Sequence, residues 1–165
     1  MIEYAIANYL ATDTAVNDLL SGNNQGTSPL GDTLPQQTWL TAGSAEEKRL
    51  ASITAQRAPE SQAKPFVVVT GPDLYDHGNT SDAVCSTKQE DCTIVIATDG
   101  PSSDLVPLLK RILLILDVLR SETVSGYHIQ ACMIGNVSLT DLAASDNDQQ
   151  PLSAYQIEIK VPYSE

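Results

Sequence analysis

The sequence predicts an α+β fold, with a small mixed, mostly antiparallel sheet packed by an N-terminal helix and one long apolar helix. Residues 155–163 alternate between apolar and polar side chains, which is the period of a half-buried β-strand. Residues 66–69 are a continuous run of Phe and Val, which suits a central, buried strand. Residues 104–120 carry apolar side chains around most of a helical circumference. Buried strands and a buried helix in one chain indicate a sheet packed against helices.

The N-terminal helix is predicted over residues 2–20, with an interruption at residues 12–14. Its first part places apolar residues at helical spacing: Ile2, Ala5, Ile6, Tyr9 and Leu10. Asp13 is suited to cap a second, short helix, because its carboxylate can accept the free N–H groups of a first helical turn. That helix directs three apolar residues inward: Val16, Leu19 and Leu20.

The rest of the chain is predicted to alternate strands with turns and loops. The elements are a weak strand at 51–57, strands at 66–70 and 91–98, a helix at 104–120, a strand at 127–135, a connection at 139–150 with a short helical turn at 140–144, and the closing strand at 155–163. The long helix is apolar on so many sides that it must pack on the sheet and on a second surface. That second surface is either the first helix or a neighbouring subunit.

Length and composition indicate a single domain over residues 1–165, with long polar loops at about 23–50 and 72–89. Hydrophobic residues make up 42% of the chain but aromatic residues only 5%, so the core is expected to be aliphatic. The N-terminal residues lack a basic segment, and the longest apolar stretch, 112–116, is too short to span a bilayer. The sequence therefore predicts a soluble protein made in the cytosol, with no membrane attachment.

The formal charge of -12 and the pI of about 4.3 argue against a protein that binds nucleic acid through its phosphates. Such binding requires Lys and Arg, and attachment to an anionic membrane is disfavoured for the same reason. Two interpretations of the charge remain. It can simply keep the protein soluble, or it can form a surface that repels DNA and lets a duplex slide past.

The chain contains no catalytic or cofactor-binding motif: no Gly-rich phosphate loop, no nucleophile elbow and no zinc-protease histidine pair. The strongest metal candidate is a set of four side chains in the second loop: Asp73, Asp76, His77 and Asp82. Their spacing matches no metal cage, so a solvated loop and no bound metal are expected. Three cysteines, Cys85, Cys92 and Cys132, are expected to be reduced.

The loop at 23–50 contains the only tryptophan, Trp39, between Leu34 and Leu40. Long loops in compact domains are often functional, and Trp is enriched at the energetic centres of protein interfaces. We therefore predict that Leu34, Trp39 and Leu40 contact a partner. The alternative is that Trp39 closes the edge of the core.

Four passages of the chain, taken in order, resemble a known family. They are the opening helix 2–10 with Asp13, Val16 and Leu19-Leu20; a strand followed by Arg57-Ala-Pro59 and Pro65-Phe66-Val-Val-Val69; strand 92–97 followed directly by helix 105–119; and the alternating strand 155–163. They cover most of the chain outside residues 23–50 and 72–89. In this arrangement the chain resembles the tail terminator, or tail completion, proteins of long-tailed bacteriophages, and related neck proteins share the general plan.

The resemblance implies a structural virion protein without catalysis or cofactor. It implies a homo-oligomer, a hexameric ring that caps the tail tube, stops its polymerisation and joins it to the head connector. The implied partners are the tail tube protein and the head–tail connector protein, while DNA passes through without specific binding. The implied location is the tail or neck of the virion, after assembly in the host cytoplasm.

An acidic chain suits such a ring, because a channel wall of one sign repels DNA during its passage. We predict that carboxylates from two acidic connections line the lumen: Asp73, Asp76, Asp82, Glu90 and Asp91 from one, and Asp141, Asp146 and Asp148 from the other. Three alternatives remain open from the sequence. They are another head–tail neck or connector ring, a metal-dependent hydrolase that uses the four side chains named above, and a small-molecule binding module.

Overall fold

The computed structural model describes residues 2–13, 15–16, 19–20, 53–55, 65–71, 88–142 and 152–164. Within these ranges it has two helices, one 3-10 turn and seven strands whose first and last residues are defined. The helices are α1 (Ile2–Thr12) and α2 (Val106–Val118), and the 3-10 turn at Ser102–Leu105 leads into α2. The strands are β1 (Ile53–Ala55), β2 (Phe66–Thr70), β3 (Lys88–Thr98), β4 (Arg120–Val124), β5 (Tyr127–Ala131), β6 (Met133–Leu142) and β7 (Leu152–Ser164). Neither helix is long and apolar enough to cross a membrane.

The seven strands form one mixed, mostly antiparallel sheet, which confirms the predicted sheet type. Their order is β1-β2-β3-β7-β5-β4, and β6 also pairs with β7. Only β1 and β2 are parallel. The closing strand β7 pairs with β3 along its whole length, from Tyr163 opposite Lys88 to Ser153 opposite Thr98. Its other edge is shared by β6 and the end of β5, so β7 organises the sheet.

The sheet curls around α1. This helix contacts β1 and β2 at one end of the strand order and β4 at the other end. The Asn8 side-chain amide also donates a hydrogen bond to the Ser125 hydroxyl, at 3.1 Å, in the turn that joins β4 to β5. A helix that reaches both ends of a sheet requires the sheet to curve towards it, so α1 lies on the concave face.

The main core fills the space between the concave face and the two helices. Alternate residues of the sheet enter it, including Val67, Val69, Ile94, Ile96, Ile157, Ile159, Val161 and Tyr163. The helices contribute one face each: Ile2, Ala5, Ile6 and Leu10 from α1, and Leu108, Ile112, Ile115 and Leu116 from α2. A smaller cluster lies on the other face of the sheet and consists of Phe66, Val68, Ala97 and Ala154. Strand β2 is therefore buried on both faces, as predicted.

The helix α2 differs from the predicted helix in length and in burial. It ends at Val118, because Leu119 adopts an extended conformation and Arg120 begins β4. Its buried residues recur at helical spacing on one side, whereas Leu114 and Val118 are exposed. Among the described residues of the single chain, α2 is therefore buried on one face and not on a second.

Two further differences concern strands. The predicted strand at 127–135 is two strands separated at Cys132, and β4, which was not predicted, pairs with the first of them. The β4–β5 turn has positive φ at Ser125 and Gly126, as a two-residue type I′ hairpin requires. Strand β6 then continues to Leu142, so the predicted connection and helical turn are wrong for residues 139–142.

Asp13 caps the helical segment that follows α1, as predicted, and also binds α2. Its Oδ1 accepts a hydrogen bond from the Val16 N–H at 2.9 Å, and residues 15–16 and 19–20 are helical. Its two carboxylate oxygens also accept hydrogen bonds from Arg111, from Nε at 3.1 Å and from Nη2 at 2.6 Å. The Arg111 hydrogen bond is the main reason that the pKa of Asp13 lies below its ordinary value of 3.8. One carboxylate thus joins the N-terminal helices to α2.

Candidate functional site

Three of the eight carboxylates predicted to line a lumen lie within the described residues, and they occupy two different places. Glu90 and Asp91 are near the start of β3, and Asp141 is near the end of β6. Asp73, Asp76, Asp82, Asp146 and Asp148 lie outside the described residues. Asp91 is opposite Lys160 of β7, whereas Asp141 is opposite Ser153. These partners are seven residues apart on β7, or about 23 Å at about 3.3 Å per residue. The two acidic connections therefore leave the sheet at opposite ends.

The two described carboxylates of β3 have different surroundings. Glu90 is half-buried and accepts a hydrogen bond from the Tyr163 hydroxyl at 2.5 Å. Asp91 is exposed and directly opposite the exposed Lys160, which places opposite charges across the strand pair. Glu90 therefore has a structural contact with the core, while Asp91 is the one of the two that solvent reaches freely.

The thiols have the properties of core groups. Cys92 is 3% exposed, and burial, followed by the nearby Glu90 and Glu3 carboxylates, raises its pKa to about 12. Burial likewise raises the pKa of Cys132 to about 12. A thiol is nucleophilic and binds metals as its thiolate, which these environments oppose. Both are free cysteines, as predicted, and Cys85 lies outside the described residues.

The buried carboxylate of Glu3 depends on a glycine in the opposite loop. Glu3 is buried in α1, and a Cβ placed on Gly71 would come within 3.0 Å of its Oε2. Gly71 follows β2 directly and leaves the space that this carboxylate occupies. Within the described ranges no group of three or more His, Cys, Asp or Glu side chains is arranged to hold a metal ion. The metal candidates Asp73, Asp76, His77 and Asp82 all lie outside those ranges.

The predicted partner contact, Leu34, Trp39 and Leu40, lies outside the described residues. A different set of exposed apolar side chains appears within them. Five large apolar side chains are exposed there, and all five lie on α2 or β6: Leu114 (52%), Val118 (63%), Met133 (46%), Val137 (39%) and Leu139 (54%).

Sequence reasoning missed the part of β6 that follows Gly135, because residues 139–150 were interpreted as a polar connection. Residues 130–140 contain no charged side chain, but residues 19–31 and 33–45 lack charge over longer runs, so this feature alone does not mark a strand.

Comparison with known proteins finds a likeness of structure. No protein-family model matches the sequence, and no curated protein matches it. The fold is similar to that of a chain in a solved structure described as the virion of a native gene transfer agent (GTA) particle. The two share 11% sequence identity with a TM-score of 0.60, and the match covers 99% of this chain and 95% of the other. The likeness therefore concerns the whole chain, and at this identity it shows a shared fold.

Proposed function

We propose that this chain is a structural protein of a phage-like virion and not an enzyme. The observation that carries the proposal is the fold match to a chain of a GTA virion over nearly the full length of both chains. The chemistry of the described residues agrees with it, because the two thiols are held protonated and the carboxylates are engaged in packing or exposed to solvent. The residues of the alternative hydrolase site remain outside the described part, so metal analysis of the purified protein tests that alternative directly.

Within the virion, we infer that the chain is a tail terminator. Copies form a hexameric ring on the finished tail tube, stop its polymerisation and join it to the head connector. The tube protein and the connector protein are its partners, its place is the tail or neck, and assembly takes place in the host cytoplasm. The order of helices and strands supports this role, as does a charge of -12, which suits a ring that DNA crosses without adhering.

Deleting the gene separates the terminator from another neck ring, which is the second candidate because the two share a general plan. Loss of a terminator leaves tubes of uncontrolled length, since nothing stops polymerisation. Loss of a neck or connector ring leaves tails of normal length beside unattached heads. Electron microscopy of the particles gives the readout. Particles of normal length that retain their heads would contradict both roles.

The predicted partner contact is retained as part of the proposal. Trp39→Ala is expected to leave the thermal midpoint of the purified protein nearly unchanged while weakening ring formation or docking on the tail, because an exposed aromatic anchor contributes to binding and not to the monomer core. Leu34→Ala and Leu40→Ala provide matched apolar truncations in the same segment. A large fall in monomer stability with normal assembly would make Trp39 a core residue.

The acidic lumen is likewise retained, with the residues from both connections named above. A structure of the assembled ring tests it, and carboxylates of both connections are expected on the channel wall. Asp91 and Asp141 are the informative residues, because they lie at opposite ends of the sheet. A channel wall rich in Lys and Arg, or acidic connections on the outside of the ring, would contradict the lumen hypothesis and leave the terminator role intact.

A further inference from the structure

Four apolar side chains define a surface between α2 and β6, here called the α2–β6 surface: Leu109, Leu113, Val137 and Leu139. Val137 lies opposite Ile157, and Leu139 lies opposite Tyr155. Paired residues of antiparallel strands share a face, and Ile157 belongs to the main core, so both β6 residues are on the side of the sheet that α2 covers. They are nevertheless 39% and 54% exposed. The helix therefore stops short of covering β6.

The position of Arg111 distinguishes the two flanks of α2. Arg111 binds Asp13 and so marks the flank towards the N-terminal helices. Successive helical residues are turned by about 100°, which places Leu109 and Leu113 about 160° from Arg111. Both are only partly buried. Strand β6 contacts α2, and Leu109 and Leu113 place apolar side chains on the flank of α2 that lies away from the Asp13–Arg111 pair.

Within the described residues, the outer edge of β6 has no strand paired with it. Among the described strands, β6 pairs only with β7, and it does so through one edge. Exposed edge strands are normally protected by Lys, Pro or inward-pointing charges. Residues 133–140 contain none of these, and charge first appears at Asp141. An unprotected edge beside an apolar flank is suited to a partner that adds backbone hydrogen bonds and apolar contact together.

Charge indicates which partner this surface fits. Together α2 and β6 carry two basic and two acidic side chains, Lys110, Arg111, Asp117 and Asp141, so their formal charge is zero. The remaining residues carry the whole charge of -12. A second copy of this acidic chain is repelled everywhere except at a neutral surface, whereas a basic partner would be drawn to the acidic remainder. The neutral, apolar α2–β6 surface is therefore the one most suited to another copy.

We propose that the α2–β6 surface is where one copy of this chain binds the next. The inference rests on the proposed ring, since it names the contact that builds it. A head-to-tail contact of this kind closes into a ring when the rotation between copies fits. It also accounts for the apolar flank of α2, because Leu109 and Leu113, which are only partly buried within one chain, become buried between two copies.

The test compares assembly of the full-length protein with that of the double variant Val137→Glu/Leu139→Glu. Native mass spectrometry and sedimentation velocity report oligomeric state, and thermal melting reports folding. We expect the variant to remain folded and to require at least about tenfold higher concentration for assembly, since two buried carboxylates would lie in the contact. Hydrogen exchange gives a second readout: the amides of β6 are expected to be protected in the assembled protein and to lose that protection in the variant.

Two matched controls carry the same apolar-to-acid change elsewhere. Val118→Glu is on the same helix but on the Arg111 flank, two turns from Arg111, and Met133→Glu is on the same strand but on the opposite face, beside Lys160. Both are expected to assemble within about twofold of the unchanged protein. If the controls lose assembly as strongly as the double variant, the assignment of the contact to this surface is overturned.

The remaining outcomes distinguish a failure of the proposed contact surface from a failure of the proposed ring. A ring formed normally by the double variant would overturn the inference and leave the proposed function standing. A normal ring that fails to attach to tails would assign the surface to another virion protein, which also overturns it. If the unchanged protein is monomeric at all concentrations, both free in solution and when bound to tails, the proposed ring is contradicted.

Discussion

Asp13 is expected to stabilise the fold in two separable ways. Its Oδ1 accepts the Val16 N–H, and its carboxylate holds the Arg111 guanidinium through two hydrogen bonds. Asp13→Ala removes both interactions. Asp13→Asn retains an oxygen that can cap the helix but presents an amide donor to Arg111, so it removes the ion pair alone.

The expected losses of stability follow from the two contacts of Asp13. Loss of an aspartate N-cap costs about 1 kcal/mol, with a range of roughly 0.5–2. For a domain of this size, about 1 kcal/mol lowers Tm by about 2–4 °C. The pair with Arg111 adds a smaller amount, because the Arg111 side chain is 37% exposed and water screens its charge. Asp13→Ala is therefore expected to melt several degrees below the unchanged protein, and Asp13→Asn between the two.

The pH dependence provides a second check on the same residue. The pKa of Asp13 is lower in the folded protein than its ordinary value of 3.8, mainly because of the Arg111 hydrogen bond. The stability from this shift is fully present above the ordinary value and is lost as the pH falls through the lower, folded value. The difference in Tm between the unchanged protein and Asp13→Asn is therefore expected to be constant near neutral pH and to narrow below pH 3.8.

Thermal melting followed by circular dichroism, from neutral pH down into this range, gives the measurement. Asp117→Asn is the control, because it removes an exposed carboxylate from the same helix as Arg111. Asp13→Ala that melts no lower than Asp117→Asn would refute the role of Asp13 as a cap and a link between helices.

Three further predictions concern the core, a thiol and the bulge in β6. Leu116→Ala is expected to lower the free energy of unfolding by about 2–5 kcal/mol, because Leu116 is fully buried, whereas Leu114→Ala should change it by less than about 0.5 kcal/mol; chemical denaturation measures both. The Cys92 thiol is expected to resist alkylation at pH 8 in the native protein and to react after denaturation, since its pKa is raised to about 12, and rapid native labelling would contradict its burial. Gly135→Ala is expected to cost roughly 1–3 kcal/mol, because the new Cβ would lie 3.3 Å from the Glu158 carbonyl oxygen in the middle of β7; an unchanged Tm would show that the bulge can relax.

The regular elements were predictable where local pattern and burial coincide. The alternation of residues 155–163 identified a half-buried strand, and the structure places Ile157, Ile159 and Val161 in the core. The apolar run of β2 identified a strand buried on both faces. Asp13 was identifiable as a cap, because capping depends on residues only three apart in the chain. In each case the determining interaction is local or repeats with a fixed period.

The strands at the sheet edges were not predictable in the same way. Residues of β4 are polar and mostly exposed, so no apolar alternation marks them, and their pairing with β5 depends on positive φ at Ser125 and Gly126. Leu139 was assigned to a connection because acidic and polar residues follow it. Only the register with Tyr155 shows that it continues β6 and faces the side of α2.

The sequence by itself determined the fold class, the periodic strands and helices, the acidic charge and the lack of a recognisable catalytic motif. Those properties reside in composition and in patterns of two or 3.6 residues, which each segment carries without its neighbours. The tertiary structure alone decided that β7 lies between β3 and β6, that α2 is covered on one side, and that Val137 and Leu139 remain exposed. Exposure of an apolar residue depends on what other segments cover, and that is fixed by contacts between residues far apart in the chain.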